Sequence, residues 1–363
     1  MKSLTAIYSW GPMSIRMATI FLALLVGLSG CASTYVDERT RSPHFRDGQF
    51  RNGIEAEKSW WSFLKMRLTT DYSDWPEWVD VPYGPKPEDR VTGDAVVVTH
   101  INHSTVLIQT GGYNVLTDPI YSERCSPLSF IGPRRVHQPG IRFDDLPKID
   151  AVVVSHDHYD HLDLPTIRRL VERDNPKIYL GLGVGERLPS MDNVTELDWW
   201  ERVEVADGFA LTFVPVQHFS SRTPFDRFST LWGGYVLEIG AGKIYFGGDS
   251  GYADHYLQTY ERFGPMDLSL IPVGGYAPRD FMGFAHLDPG QAVQAHLDLR
   301  SRKSIGIHFG TFQLTQEPID EPIELLAKAR ASAGLKEGEF VTLEFGQPLV
   351  IPGDPEGTGR QGE

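Results

Sequence analysis

The sequence predicts an α+β sandwich, two β-sheets face to face with helices outside. Three observations predict it. Short β-rich runs come in two batches, over residues 96–155 and 211–308, and each batch is accompanied by amphipathic helical stretches rather than a regular strand-helix alternation. Composition is that of a globular chain, 41% hydrophobic and 23% charged over 363 residues, enough for one large domain or two modest ones. Several runs end in histidine or aspartate, as expected where strand ends gather side chains at one edge of a sandwich.

From the N-terminus, Arg16 precedes an apolar stretch, residues 17–28, that ends in LSGC at 28–31. Twelve residues are too few for a bilayer, which needs about 20, but suit the core of a secretion signal. LSGC resembles the bacterial lipoprotein cleavage box. That implies loss of a signal peptide, residues 1–30, and lipidation of Cys31. With Ala32 following, it points to an anchor in the outer membrane, facing the periplasm. Cys125 is then the remaining cysteine, so no internal disulfide is possible. Residues 31–90 are polar and contain proline with little strand pattern, yet hold Trp60, Trp61, Trp75 and Trp78. Ile54, Trp61, Leu64 and Leu68 share one helical face, so this segment reads as a strap packing its aromatics on the main domain.

The main domain is expected over residues 91–350. Its β-rich runs are 96–99, 105–109, 114–117, 151–155, 211–216, 234–239, 243–246, 268–272 and 304–308. Asp163 is placed to cap a helix with Pro165 in its first turn and Leu164, Ile167, Leu170 and Val171 on one face. Further helices are expected over 289–299 and 322–333, and residues 351–363 read as a disordered tail. The formal charge of −14 repels phosphate backbones, which argues against a nucleic-acid partner.

The chemistry concentrates in SHDHYDHLD at 155–163, directly behind an apolar run. Imidazole nitrogen is a zinc ligand, and a loop here can turn His156 and His158 to one point while Asp160 and His161 face another. Two metals need more ligands. VPVQH at 214–218, YFGGD at 245–249 and IGIH at 305–308 each place a ligand-type residue just after a strand run, as at His156. Gly247 and Gly248 permit a tight turn before Asp249, whose carboxylate can bridge two cations. Alone, His218 or His308 would more often be an ordinary histidine; beside the 156–161 loop they read as ligands. His44, His100, His137, His255 and His296 read as structural.

These residues resemble the metallo-β-lactamase superfamily of dinuclear zinc hydrolases, and within it the branch of the zinc phospholipase D that hydrolyses N-acylphosphatidylethanolamines. The likeness runs from about residue 96 to 343. It includes HSTVL (103–107), LTDPI (116–120), ELDWW (196–200), GDSGY (248–252), PVGGY (272–276), PRDFM (278–282), HLDP (286–289) and IHFGTF (307–312). The resemblance implies an αββα four-layer sandwich of the metallo-β-lactamase type. It implies two Zn2+ per chain, with manganese or iron as alternatives, one held by His156, His158 and His218 and the other by Asp160, His161 and His308, with Asp249 bridging. His286 matches a family histidine near the substrate phosphate, a phosphate contact or proton donor; Tyr276 and Arg279 are further candidates for that pocket. Asp118 either orients a ligating imidazole or merely occupies a Thr-Asp-Pro turn. Asn102 departs from the glycine usual before His103, and residues before 96 align loosely.

Paired cations acidify a shared water and hold the hydroxide in line with an electrophile, so no side-chain nucleophile is required. The implied activity is a phosphodiesterase of phospholipase D type on N-acylphosphatidylethanolamine-like lipids, with Asp160, Asp249 and His286 nearest the reaction and a membrane partner through Cys31. A lactonase or other ester hydrolase on a small-molecule ester is the alternative, since the fold does not choose between them. A metal-bearing envelope protein without catalysis is the third; it predicts a missing ligand.

Overall fold

Alternate residues of the strand Ala151–Val153 belong to different cores: Ala151 and Val153 face one apolar layer, Val152 and the following Val154 another. That period of two across a strand buried on both faces is the signature of a sheet covered on each side. A computed structural model describes residues 37–52, 65, 72–189, 191–240 and 242–353. The signal segment 1–30, Cys31, the face of Ile54, Trp61, Leu64 and Leu68, Trp60 and the tail from 354 lie outside the described residues.

In chain order the strands are β1 (Phe45–Arg46), β2 (Gln49–Phe50), β3 (Val96–Asn102), β4 (Thr105–Thr110), β5 (Tyr113–Thr117), β6 (Ala151–Val153), β7 (Lys177–Gly181), β8 (Val194–Leu197), β9 (Arg202–Ala206), β10 (Phe209–Val214), β11 (Gly234–Ile239), β12 (Gly242–Phe246), β13 (Leu268–Pro272), β14 (Ser304–Ile307), β15 (Phe340–Thr342) and β16 (Pro348–Ile351). One sheet has the order β16-β3-β4-β5-β6-β7-β8 and the other β15-β14-β13-β12-β11-β10-β9. Each is antiparallel in one half and parallel in the other, β5 to β8 in the first and β12 to β15 in the second.

The two sheets close on a core that includes Val98, Ile108, Phe213, Tyr235, Leu237, Phe246 and Leu270. The helix Leu164–Asp174 covers the outer face of the first sheet through Ile167 and Leu170. Helices His255–Phe263, Pro289–Asp298 and Glu321–Ser332 cover the second through Tyr256, Ala292, Val293, Ala295 and Leu326. The result is the expected αββα four-layer sandwich. No helix among the described residues is long and apolar enough to cross a membrane.

Asp163 does precede its helix, but its carboxylate accepts from Tyr121 N, Ser122 N and Ser122 Oγ instead of capping. Strands β7, β8, β9, β15 and β16 and the helix His255–Phe263 go beyond the runs read from sequence. The edge strands are short and half exposed, and HYLQTYERF buries His255, Tyr256 and Thr259, a face with few aliphatic residues. Residues 37–52 form the β1–β2 hairpin, which buries Phe50 in the intersheet core, and Phe50 N donates to Phe228 O. Further on, Trp75 donates its indole N–H to Glu317 O while Trp78 stays exposed.

Candidate metal centre

The site lies where strand ends of both sheets meet. His103 follows β3, Asp118 follows β5 and the 156–161 loop follows β6; from the second sheet His218 follows β10, Asp249 follows β12 and His308 follows β14. The loop after β6 folds back on itself, with His161 N and Leu162 N both donating to His158 O. That turn separates its side chains into two groups. His156 Nε2 lies 2.7 Å from His158 Nδ1, which His218 Nε2 approaches to 3.3 Å. On the other side, Asp160 Oδ2 lies 3.3 Å from His161 Nε2, 3.5 Å from His308 Nε2 and 3.0 Å from His103 Nε2. In each group, His156 with His158 and His218, and His103 with Asp160, His161 and His308, the ligand atoms all fall within 4.8 Å of one another. Asp249 stands between: Oδ1 is 3.1 Å from His308 Nε2, and Oδ2 is 3.1 Å from His161 Nε2 and 3.8 Å from His218 Nε2.

Three of the rings, His156, His161 and His218, are aimed from behind. Asp118 Oδ2 accepts from His161 Nδ1 at 2.7 Å and from Ser155 Oγ at 2.6 Å, and Ser155 Oγ in turn meets His156 Nδ1 at 2.9 Å. His218 Nδ1 donates to Ala285 O at 2.9 Å. These bonds occupy the far nitrogen and leave Nε2 for the centre, the usual arrangement behind a metal-ligating imidazole. Backbone strain gathers here too: His103, Asp118 and His308 all have positive φ, at 42°, 32° and 61°. The Gly248 turn admits no side chain, since a β-carbon would stand 2.4 Å from that of Ser155. A β-carbon on Gly275, at φ 80°, would press on His286 Nδ1 at 2.9 Å and His308 Cε1 at 3.1 Å, so the loop after β13 sets the space around both rings.

The cluster is nearly dry, and burial pushes His158 down to about 4 and His218, His103 and His286 to about 3; His156 also falls well below its ordinary value. These imidazoles are neutral, with lone pairs available. Burial would lower His308 too, but the Asp249 and Asp160 carboxylates outweigh it and lift that ring to about 9; His161 is raised in the same way. Against burial, the His161 and His308 rings hold Asp249 and Asp160 well below the usual carboxylate range. His161 Nε2, His308 Nε2, Asp249 Oδ1 and His286 Nδ1 are buried without an aligned hydrogen-bond partner. Orphaned acceptors facing one another, with anionic carboxylates among them, fit divalent cations, which would take the place of the ring protons.

All seven residues read from sequence as ligands meet at this point, and His286 joins them with its Nδ1 3.9 Å from Asp249 Oδ2. Tyr276 and Arg279 are turned to other work: the tyrosine hydroxyl donates to Glu321, and the guanidinium holds His286 O, Gln291 and Asp288. His103 was not singled out from sequence as a site residue. Its position just after a strand end was the available signal, the same one that marks His218 and His308. Glu317 was also missed: its buried carboxylate accepts from Gly275 N, Ala277 N and Thr315 Oγ1 and pins the loop against His286 and His308. No motif marks it.

Residues 113–309 match the family model described as a beta-lactamase superfamily domain. The chain is similar to the N-acyl-phosphatidylethanolamine-hydrolyzing phospholipase D 1 of Caenorhabditis elegans, 36% identical over 345 residues that cover 85% of this chain and 97% of that protein. Among solved structures it is similar to a metallo hydrolase from the archaeon Ignicoccus hospitalis, TM-score 0.55 at 20% identity over 72% of this chain and all of that one. It is also similar to an isothiocyanate hydrolase from Delia radicum gut bacteria, TM-score 0.56 at 20% identity over 71% of this chain and 99% of that one. At that level of identity the two structures show the fold alone.

Proposed function

The chain belongs to the metallo-β-lactamase superfamily of metal-dependent hydrolases, in its N-acylphosphatidylethanolamine phospholipase D-like branch, and from that premise we propose that it is a dinuclear zinc phosphodiesterase. The substrate class is an N-acylphosphatidylethanolamine-like lipid, cleaved to a phosphatidic acid and an N-acylethanolamine. One observation carries the reading: Asp249 reaches both groups of ligands at once. The name of the C. elegans relative supports the substrate class.

His156, His158 and His218 would hold one ion and Asp160, His161 and His308 the other, with Asp249 shared; zinc is proposed, and manganese or iron suits the same donors. When bound, the pair supplies Lewis acidity towards a phosphoryl oxygen and acidifies water towards neutral pH. The protein's part is positioning. Asp118 and Ser155 fix which nitrogen of His161 and His156 faces the centre. Asp249, acceptor-only when ionised, receives a hydrogen bond from the attacking water and aligns it. Water's oxygen bonds to phosphorus as the bond to the ethanolamine oxygen breaks, and that oxygen must gain a proton. His286 would contact the phosphate through an N–H of its neutral ring, or carry this proton after first taking one up: its ring centre lies 5.2 Å from that of His218 and 5.4 Å from that of His308, and Arg279 holds its backbone oxygen. We further propose that Cys31 carries a lipid anchor in the outer membrane on the periplasmic side, which would put enzyme and substrate in one bilayer.

The test is incubation of metal-loaded protein with an N-acylphosphatidylethanolamine in detergent micelles, products followed by mass spectrometry, with Asp249→Asn as control. Phosphatidic acid and N-acylethanolamine are expected from the intact site only. Absence of both from protein containing two metals per chain overturns the phospholipase reading and moves the search to lactones and other esters.

A further inference from the structure

Two loops beside the metal centre end in apolar side chains that the fold leaves in water. In loop 126–132, Leu128, Phe130 and Ile131 are 47%, 77% and 57% exposed; in loop 221–227, Phe225 is 95% exposed. Both are rooted in the metal-binding turn. The stem of the first is closed by pairing of Arg124 with Arg134, and its Cys125 is buried with Ile120 and Phe312, against which Tyr159 packs. Phe312 in turn stands with its ring centre 5.4 Å from that of His103. In the second loop, the Arg222 guanidinium lies 3.9 Å from the centre of the same Tyr159 ring, and its Nη1 donates to Asp157 O at 2.7 Å and Leu162 O at 3.0 Å. Tyr159 immediately precedes Asp160, so the roots of both loops meet at one point beside the site.

The tips are not slack ends of the chain. Cys125 N donates to Pro133 O and Arg135 N to Glu123 O across the first stem, while the Asp226 carboxylate accepts from Arg222 N and Thr223 N within the second. Preformed loops holding four large apolar groups in water forgo burial that the fold does not otherwise need, and such concentrations mark interaction surfaces. Of the arginines at the stems, Arg134 pairs with Glu123 and Arg222 is packed on Tyr159, while Arg124 at the first stem has no acidic partner among the described residues, in a chain whose formal charge is −14. Beside a site read as acting on a phospholipid, these tips match a lipid surface, with the apolar side chains entering the acyl region and Arg124 near the headgroup phosphates.

We propose that loops 126–132 and 221–227 form a docking rim that inserts Leu128, Phe130, Ile131 and Phe225 into a phospholipid surface and seats the metal centre at its interface. The choice of partner rests on the phospholipase reading; the geometry of the rim does not. The test uses residues 32–363, which contain the whole described fold, so that neither the apolar segment 17–28 nor a lipid on Cys31 contributes, and flotation with vesicles of phosphatidylcholine and phosphatidylethanolamine. A Phe130→Ser, Ile131→Ser, Phe225→Ser variant is expected to lose vesicle partitioning at least about tenfold with metal content and Tm unchanged. Leu257→Ser with Ile323→Ser, exposed apolar residues on outer helices, should leave partitioning as it was. Flotation of the rim variant at the level of the parent overturns the proposal, as does a parent that does not float, or one whose tips mediate only self-association. Loss of flotation without any cleavage of N-acylphosphatidylethanolamine by the parent upholds the rim and removes the phospholipase reading. Equal cleavage of vesicle substrate by both proteins, with equal flotation, does the reverse.

Discussion

The two halves of the metal centre are built from different chemistry. His156, His158 and His218 present three neutral nitrogens, all lowered by burial, and depend on Asp249 for negative charge. Asp160, His161 and His308 include a carboxylate of their own, share Asp249 as well, and have Asp118 and His103 behind them. Carboxylate charge therefore sits mainly on one side, and Asp249 is the part that both sides need. Three changes break or sharpen this contrast.

Asp249→Asn has the largest expected effect. It removes the charge shared by the halves and the acceptor proposed to align water, so turnover should fall by at least about a thousandfold. Metal content, measured by plasma emission spectroscopy after gel filtration, should fall as well. A variant retaining full turnover would discard the shared-carboxylate assignment.

Next, Asp118→Asn should weaken metal binding about 10–100-fold on the His161 side and less on the His156 side, which it reaches only through Ser155, because an amide can present N–H where the ring needs an acceptor. Ser155→Ala, which removes a neutral partner of His156, should cost less. Competition against a chromophoric chelator separates the two; equal losses on both sides would mean that Asp118 acts through general stability and not through the His161 ring.

In the unaltered protein, stepwise chelation should remove one metal before the other. A carboxylate near a cation in a poorly solvated site is worth enough to separate the affinities by roughly tenfold or more. The ion of the His156, His158 and His218 group is expected to leave first, read from the surviving ligand set by X-ray absorption. Simultaneous release would show that Asp249 couples the halves more strongly than their ligands distinguish them.

How much of this was legible in the sequence follows the same division. The 156–161 loop is local, so spacing alone announced it, and even its partition into two faces could be read from where a turn must fall. His218, Asp249 and His308 became legible only as a recurring position, a ligand type just after a β-rich run. His103 obeys the same rule but follows a strand already rich in polar residues, Thr99-His100-Ile101-Asn102, which hid the strand end. Glu317 was invisible because its role depends on a contact across 42 residues of chain with Gly275, which no periodicity encodes. In the fold, most strands buried on both faces gave apolar runs and were found, β7 being the exception; edge strands such as β15 and β16, half exposed, did not.

The smallest expected effect contrasts the metal-site histidines with those that only pack. Burial holds His100 and His137 at about 4 and His255 at about 3, each neutral in the folded chain and each clear of the metal-facing atoms. His137 Nδ1 donates to Gln138 O, and its Nε2 accepts from Thr311 Oγ1, a neutral tautomer held at both nitrogens. Because the folded values lie below the unfolded value near 6.5, the unfolded chain binds protons first as pH falls. The contribution of these residues is therefore complete above about pH 6.5 and is lost progressively between there and about pH 4. His137→Gln keeps an amide able to bond at this place but cannot titrate, so it should reduce the loss of stability between pH 7.5 and 5.5 by about 1 kcal/mol, measured by urea unfolding at each pH. An unchanged pH dependence would mean that His137 contributes nothing to acid sensitivity, and the protonation account of this packed ring would fail.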